Sequence, residues 1–439
     1  MTTPKDRSGA YRAVWRWHFY AGLFVLPVLM LMALTGGLYL FKPEIEAAVY
    51  RPLTEVRAEA ERATPDRWIE AAQGGLDGQA ASVFVPDRPD RAVQVKVRTA
   101  DGERTAFIDP HDARLIGSVP GDGVMGTVKR LHSLELFGRP FNILVEIVAG
   151  WAIILVATGV FLWWPRRRDA AVAAPRLSPP AARPFWRDLH AVTGLYVGAI
   201  IVFLAITGMP WSAVWGDVFL SQMRASGLGR PAAPAASEWV HADGHDEPAA
   251  MGWTMEGVVL TAPPAPSVGL DGVVRAVDAR GMPRPYVVSL PSSPEAAFTV
   301  SHEGQSAEAA RAMYVSPSGE VVADYVWSDF GVGARAFEWG IAVHQGTQYG
   351  WINRTLMLIG CIGVWILAIS ATVMWWKRRP KGSLGAPKAP PGPRARAAVL
   401  GIVLPLAILY PLTGLSLIAA IGLDRLAAFL RSRFSGARA

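Results

Sequence analysis

Trp15-Arg16-Trp17-His18-Phe19-Tyr20-Ala21-Gly22-Leu23, followed by apolar residues up to Phe41, decides how this chain folds. About 20 apolar residues span a bilayer core of about 30 Å, so the stretch reads as a transmembrane helix with a histidine at its mouth. The same text returns as Phe185-Trp186-Arg187-Asp188-Leu189-His190-Ala191-Val192-Thr193-Gly194-Leu195. Gly-Leu stands four and five residues after each histidine, and Thr-Gly seventeen residues after it, as Thr35-Gly36 and Thr207-Gly208. His18 and His190 are therefore one structural position used twice, and internal repetition governs the rest of the reading.

A second match runs at a constant offset of 212: His132 falls on His344, Gly138 on Gly350, and Trp163-Trp164 on Trp375-Trp376. The fold class predicted is a polytopic α-helical membrane protein with two outer α+β modules, built as a tandem duplication of helix, module, helix. Both copies run outward and back, which makes the repeat parallel, not inverted. The spans fall at 18–41, 141–164, 188–211 and 354–376, and the modules at 42–140 and 212–353. The cytoplasmic parts are 1–17 and the linkers 165–187 and 377–397. A fifth apolar run, 398–422, is interrupted by Pro405 and Pro411 and precedes a basic tail, 423–439. It is either a fifth span or a re-entrant helix, because a single crossing would carry the tail's arginines outward.

Charge distribution sets the orientation. Segments 1–16, 165–189 and 377–397 hold 17 Lys/Arg against three acids, whereas 42–142 and 212–354 hold 22 basic and 31 acidic residues. That is the positive-inside bias. It places the N-terminus in the cytoplasm and the modules in what for a bacterium is the periplasm of the inner membrane. The net charge of +7 thus reports orientation in lipid and excludes a nucleic-acid partner. The first span is an uncleaved anchor, since its apolar run is too long for a signal peptide and no small-residue cleavage site follows. The single cysteine, Cys361, lies in an apolar run, which rules out a disulfide framework or a thiolate metal cluster.

The modules read as small α/β units. Pro65-Asp66-Arg67-Trp68 carries helix-start chemistry, and Ala81–Val85, Ala92–Val97 and Thr105–Ile108 read as strands. In the second module the strands are Tyr286–Leu290, Ala297–Ser301 and Ala312–Val315.

Four of the eight histidines stand at the ends of the repeated helices: His18 and His190 inward, His132 and His344 outward. One reading makes them interfacial residues of the headgroup zone. The other makes them axial ligands of two b-type haems, one near each leaflet, because neutral imidazole is a usual haem ligand and bundle cofactors are held by facing helices. The pseudo-twofold then pairs His18 with His190 and His132 with His344. Without a Cys-x-x-Cys-His motif the haems would be non-covalent. Gly22, Gly36, Gly37, Gly194 and Gly208 would admit either a close helix or a macrocycle. From His132 to Trp164 is 32 residues, about 48 Å as one helix, so His132 is expected on a separate short segment.

Other signals are weaker. Glu146, about a turn inside the second span, is a functional candidate by position or an interfacial snorkelling acid. His241-Ala242-Asp243-Gly244-His245 has metal-ligand residue types on a polar loop. His111 and His302 read as surface residues. Gly121-Asp122-Gly123-Val124-Met125-Gly126 fits G-x-G-x-x-G but lacks a βαβ context. With no flavin or nicotinamide site, the electron source must be separate, a quinol or a cytoplasmic reductase.

The chain resembles the PepSY-associated transmembrane family, whose members include inner-membrane ferric-siderophore reductases. The resemblance is carried by His18–Leu23 and its copy at His190–Leu195, by Leu131-His132-Ser133-Leu134-Glu135-Leu136-Phe137-Gly138, and by the turns Phe107-Ile108-Asp109-Pro110 and Tyr314-Val315-Ser316-Pro317. The second turn has Ser316 where an acid is usual. The resemblance implies a di-haem b oxidoreductase that passes electrons outward to Fe(III) in a bound siderophore. Two other functions remain open on the residues alone: a peptide-binding or regulatory membrane protein, and a haem or iron-chelate transporter.

Overall fold

The computed structural model describes residues 4–164, 179–231, 268–379 and 401–436, apart from positions 60, 122, 181, 292–295, 303, 402, 403 and 406. In chain order the first elements are α1 (Pro4–Tyr39), α2 (Lys42–Thr54), α3 (Pro65–Leu76), β1 (Gly78–Val85), β2 (Val93–Thr99), β3 (Gly102–Ile108) and β4 (Leu115–Pro120). Then come α4 (Gly123–His132), α5 (Arg139–Trp163), α6 (Arg183–Gly208), α7 (Trp215–Ala225) and α8 (Gly269–Ala279). The last are β5 (Tyr286–Ser289), β6 (Phe298–His302), β7 (Arg311–Val315), β8 (Val321–Val326), α9 (Val332–His344), α10 (Gly350–Arg378) and α11 (Pro411–Gly436). They divide into a helical unit (4–37, 130–219 and 355–436) and a sheet unit (38–129 and 220–354).

In the helical unit, four helices among the described residues are long and apolar enough to cross a membrane: Tyr11–Tyr39, Pro140–Trp163, Arg183–Trp211 and Gly350–Arg378. Pro140 and Pro184 stand in the first turns of α5 and α6, where a missing N–H costs nothing. Helix α5 is the hub, with 50% of its apolar window buried against 22%, 28% and 33% for the other three. Its Val148, Trp151 and Ile154 meet Val14, Ala21 and Val25 of α1 and Leu417 of α11. Ala152 joins Ala33, Val197, Ile201 and Val364, drawing in α6 and α10. Glycines allow this closeness: a Cβ on Gly150 would lie 2.0 Å from Thr413 Oγ1, and one on Gly363 would lie 2.6 Å from a Val197 methyl.

The helix α11 begins at Pro411, one of the two prolines that interrupt the fifth apolar run, and continues into the basic stretch as far as Gly436. Pro411 lacks the N–H that would continue an earlier helix but suits the first turn of a new one. Helix α11 is fastened to α5 by Trp151 Nε1, which donates to Ser416 Oγ at 2.8 Å.

The two outer regions do not fold as separate modules. Their strands form one eight-stranded antiparallel sheet, ordered β4-β3-β2-β1-β5-β6-β7-β8. The join is β1 to β5, with Val83 opposite Val288 and Phe84 opposite Val287. Left apart, each set of four strands would expose an apolar edge at β1 or β5; pairing them leaves only β4 and β8 as edges. Helices α3 and α8 pack beside each other on one face, where Trp68, Ala72, Val273 and Val277 cover Val83, Val95, Ile108, Val288, Val300 and Met313. Each helix also caps the other: Asp66 Oδ1 accepts from Leu270 N at 2.6 Å, and Asp271 Oδ1 accepts from Asp66 N at 2.8 Å. His302, read from sequence as a surface residue, is buried on β6 and its Nδ1–H donates to Pro285 O at 2.7 Å. It is a satisfied core histidine.

Candidate functional site

Each of the repeated spans contributes one polar group near the same end of the helical unit. Helix α1 brings His18, α5 Thr158, α6 His190 and α10 Ser370. The imidazoles of His18 and His190 face each other with ring centroids 6.3 Å apart and planes at 89°. His18 Nδ1 is 2.8 Å from Thr158 Oγ1. The Thr158 hydroxyl spends its one proton on Ile154 O, 2.7 Å away, so its oxygen accepts from Nδ1–H. His190 Nδ1 lies 3.2 Å from Leu367 O and 3.1 Å from Ser370 Oγ, and the Ser370 hydroxyl donates to Ile366 O at 2.6 Å. A carbonyl can only accept, which puts the proton of His190 on Nδ1 as well.

Around this cluster lies a belt of tryptophans and arginines. Trp17 stacks on Trp151 at 6.4 Å, and the guanidinium of Arg378 sits 4.4 Å over Trp15. Arg187 pairs with the buried Asp188 at 2.6 Å. Such rings and cations collect at the headgroup level of a bilayer.

His132 closes α4 and is carried on a segment separate from α5. Leu134 takes a left-handed φ of 61° and Gly138 a φ of 104°, after which α5 begins. Asn142 Nδ2 donates to Ser133 O at 3.2 Å and holds the turn. The ring packs on α1, with Nδ1 2.9 Å from Thr35 Oγ1, and the Thr35 hydroxyl donates to Leu31 O at 2.7 Å. A Cβ on Gly36 would lie 3.3 Å from His132 Cε1, and one on Gly159 3.4 Å from His18 Cε1. Burial draws the His132 imidazole down to about 4, so the ring is neutral across the physiological range. His18 and Thr35, seventeen residues apart on α1, stand at levels about 25 Å apart by the helical rise.

His344 ends α9 in the sheet unit as His132 ends α4, and is half-buried. There Gly346 (φ 77°) and Gly350 (φ 60°) turn the chain before α10, and Asn353 Nδ2 donates to Val343 O at 2.9 Å. The same three devices thus follow both histidines: a helix end, left-handed residues and an asparagine on the next helix.

Glu146 is fully buried, which removes the snorkelling alternative. Its Oε2 accepts from Trp215 N, the first amide of α7, at 3.1 Å, while Oε1 has no partner among the described residues. His241 and His245 lie outside the described residues. Elsewhere among the described residues, no three His, Cys, Asp or Glu side chains stand together to hold a metal. Gly123 opens α4 under the Tyr50 hydroxyl, which accepts from Val124 N, so that glycine serves a turn and not a phosphate.

The residues fit a metal held between imidazoles. All three rings in the helical unit bond through Nδ1, and among the described residues Nε2 carries no hydrogen bond on any of them. That is the outer-shell pattern of a ligating histidine, whose second nitrogen is tied to an oxygen. Metal–imidazole bonds of about 2 Å, with ring centres roughly 1 Å further out, separate two ligating centroids by about 6 Å. Thr158 and Ser370 were not singled out in the sequence, although the offset of 212 that pairs the histidines also pairs these two hydroxyls. No curated protein matches the chain. The family model for the PepSY-associated TM region matches residues 15–378, from the first tryptophan of the opening helix to the end of α10, and the chain belongs to that family.

Proposed function

We propose that this chain is a di-haem b reductase of the bacterial inner membrane that carries electrons outward to Fe(III) in a periplasmic siderophore. The observation that carries the reading is the His18–His190 pair, 6.3 Å between centroids, each ring bonded through Nδ1 with no hydrogen bond at Nε2 among the described residues. The repeat gives His132 and His344 the equivalent role in a second haem, and a tandem duplication of helix, outer strands and helix accounts for both sets. When bound, haem supplies one-electron chemistry set by its axial ligands and their hydrogen bonds. The protein's part is to hold neutral imidazoles at two levels of the bilayer. The aromatic and cationic belt at the His18 end supports an inward orientation of that end, where a quinol or a cytoplasmic reductase would deliver electrons. Reduction releases the metal because hard oxygen chelators hold Fe(II) far less tightly than Fe(III).

The test is a reduced-minus-oxidised spectrum and a pyridine haemochrome assay on purified protein. About two non-covalent haems per chain are expected, with oxidation of the reduced protein by a ferric siderophore. A stable, haem-free protein would sink the proposal. A peptide-binding or regulatory reading draws on another observation, the edge strands β4 and β8, to which a peptide could add. The haem-free outcome would favour it.

A further inference from the structure

The sequence repeats Thr-Gly seventeen residues after His18 and after His190, yet these pairs lie well away from the histidines they follow in the chain. Their place becomes plain from the other end. Thr35-Gly36 receives His132, not His18: the hydroxyl takes Nδ1 at 2.9 Å and the glycine leaves room beside Cε1. Thr158-Gly159 does the same for His18, at 2.8 Å and with the same clearance beside Cε1. Ser370-Ala371, the repeat's counterpart of Thr158-Gly159, gives its hydroxyl to His190 at 3.1 Å. Three times, a helix supplies a hydroxyl followed by a small residue, and each time the hydroxyl donates to its own preceding turn.

We infer that Thr35, Thr158 and Ser370 are positioning residues that fix the tautomer of His132, His18 and His190 and tune the iron those histidines would hold. The inference rests on the haem reading above. A hydroxyl whose proton is already given to a carbonyl can only accept, so it locks hydrogen on Nδ1 and keeps the lone pair on Nε2. It also draws electron density through Nδ1–H toward the ring, which makes Nε2 a better donor and favours Fe(III). Gly36 and Gly159 set the depth of each ring. A backbone carbonyl stands beside the hydroxyl in all three places: Leu367 O at His190, 3.2 Å away, Leu155 O at His18 and Met32 O at His132.

The experiment uses full-length protein in detergent, with haem counted by pyridine haemochrome and midpoint potentials read by spectroelectrochemical titration. Thr158→Val and Thr35→Val keep side-chain volume and remove only the acceptor. Each is expected to raise one midpoint by roughly tenfold in the one-electron equilibrium, about 59 mV, and the two should move different haem signals. Ser370→Ala should move the same signal as Thr158→Val. Thr158→Ser and Thr35→Ser should restore the wild-type values. If wild type holds two haems and the Val variants leave both potentials and spectra unchanged, the positioning role is wrong while the haem reading stands. The same holds if Thr158→Val and Ser370→Ala move different signals. If wild type holds no haem, both fail together. Should a Val variant not accumulate, Ser370→Ala still decides for the His18–His190 level, because an unmoved midpoint there overturns the role.

Discussion

An imidazole can offer either nitrogen, and the bond made by one decides what the other can do. At His18, His132 and His190 that choice is made by groups on neighbouring helices, so what each ring can bind depends on helix packing. Glu146 presents the opposite case, a buried carboxyl group whose task is local. Its counterpart at the 212 offset is Leu358, so the repeat does not require an acid there, and what it visibly holds is the first amide of α7. Glu146→Gln keeps an acceptor for Trp215 N and should leave melting temperature and haem content near wild type. Glu146→Leu strands that amide, and should cost about 1–3 kcal/mol. Thermal melts in detergent with haem counted in parallel distinguish this from a redox role, which would show as equal stability with altered turnover. Of the site, the histidines were legible because an exact repeat marks them. Thr158 and Ser370 were not, because a hydroxyl in an apolar helix has no periodic signature and more often bonds only its own preceding turn.

At the level of elements, the molecule relies on close approaches that a sequence pattern shows only as scattered small residues. Gly150→Ala would drive a methyl into Thr413 Oγ1, 2.0 Å from its ideal position. Overpacking of this kind costs about 1–3 kcal/mol, and here it should loosen α11, read as faster proteolysis after residue 400 with the His18 and His190 signals unchanged. In the sheet unit, Asp66→Ala removes the acceptor for Leu270 N and should lower stability by about 1 kcal/mol, as should Asp271→Ala through Asp66 N. The double variant should depart from additivity, since the two carboxylates belong to one reciprocal hydrogen-bonded pair and repel each other. Strands β1, β2, β3, β5, β6 and β7 were legible from apolar alternation or short buried runs. The edges β4 and β8 were not: half-exposed throughout, Leu115–Pro120 and Val321–Val326 bury no stripe that could betray a period. Nor could either half of the sequence tell that β1 would pair with β5, because the join is made between segments about 200 residues apart.

For the molecule as a whole, the charge asymmetry and the two levels of histidines make one joint statement about direction. Reporter fusions at Asp101 and at Ala171 should report opposite sides of the membrane, the first periplasmic; same-side signals would undo the orientation. Given that orientation, the two histidine levels should act in series. His18 and His190 belong to the cytoplasmic end, and His132 stands at the Thr35 level about 25 Å away along α1, with His344 as its repeat equivalent. Electrons delivered from the cytoplasmic side therefore meet the His18–His190 level first, and a periplasmic chelate meets the other. His344→Ala should abolish ferric-chelate reduction while the signal assigned to His18 and His190 stays reducible by the physiological donor. His190→Ala should do the reverse, leaving the outer signal present but unreduced by that donor. Because the two substitutions touch different helices, a general loss of folding would remove both signals at once and is told apart from either outcome. The measurement is haem spectra together with chelate turnover for each variant, donor on the cytoplasmic side. Full turnover in His190→Ala with its haem gone would mean that electrons enter at the outer level, and the serial path would have to be abandoned.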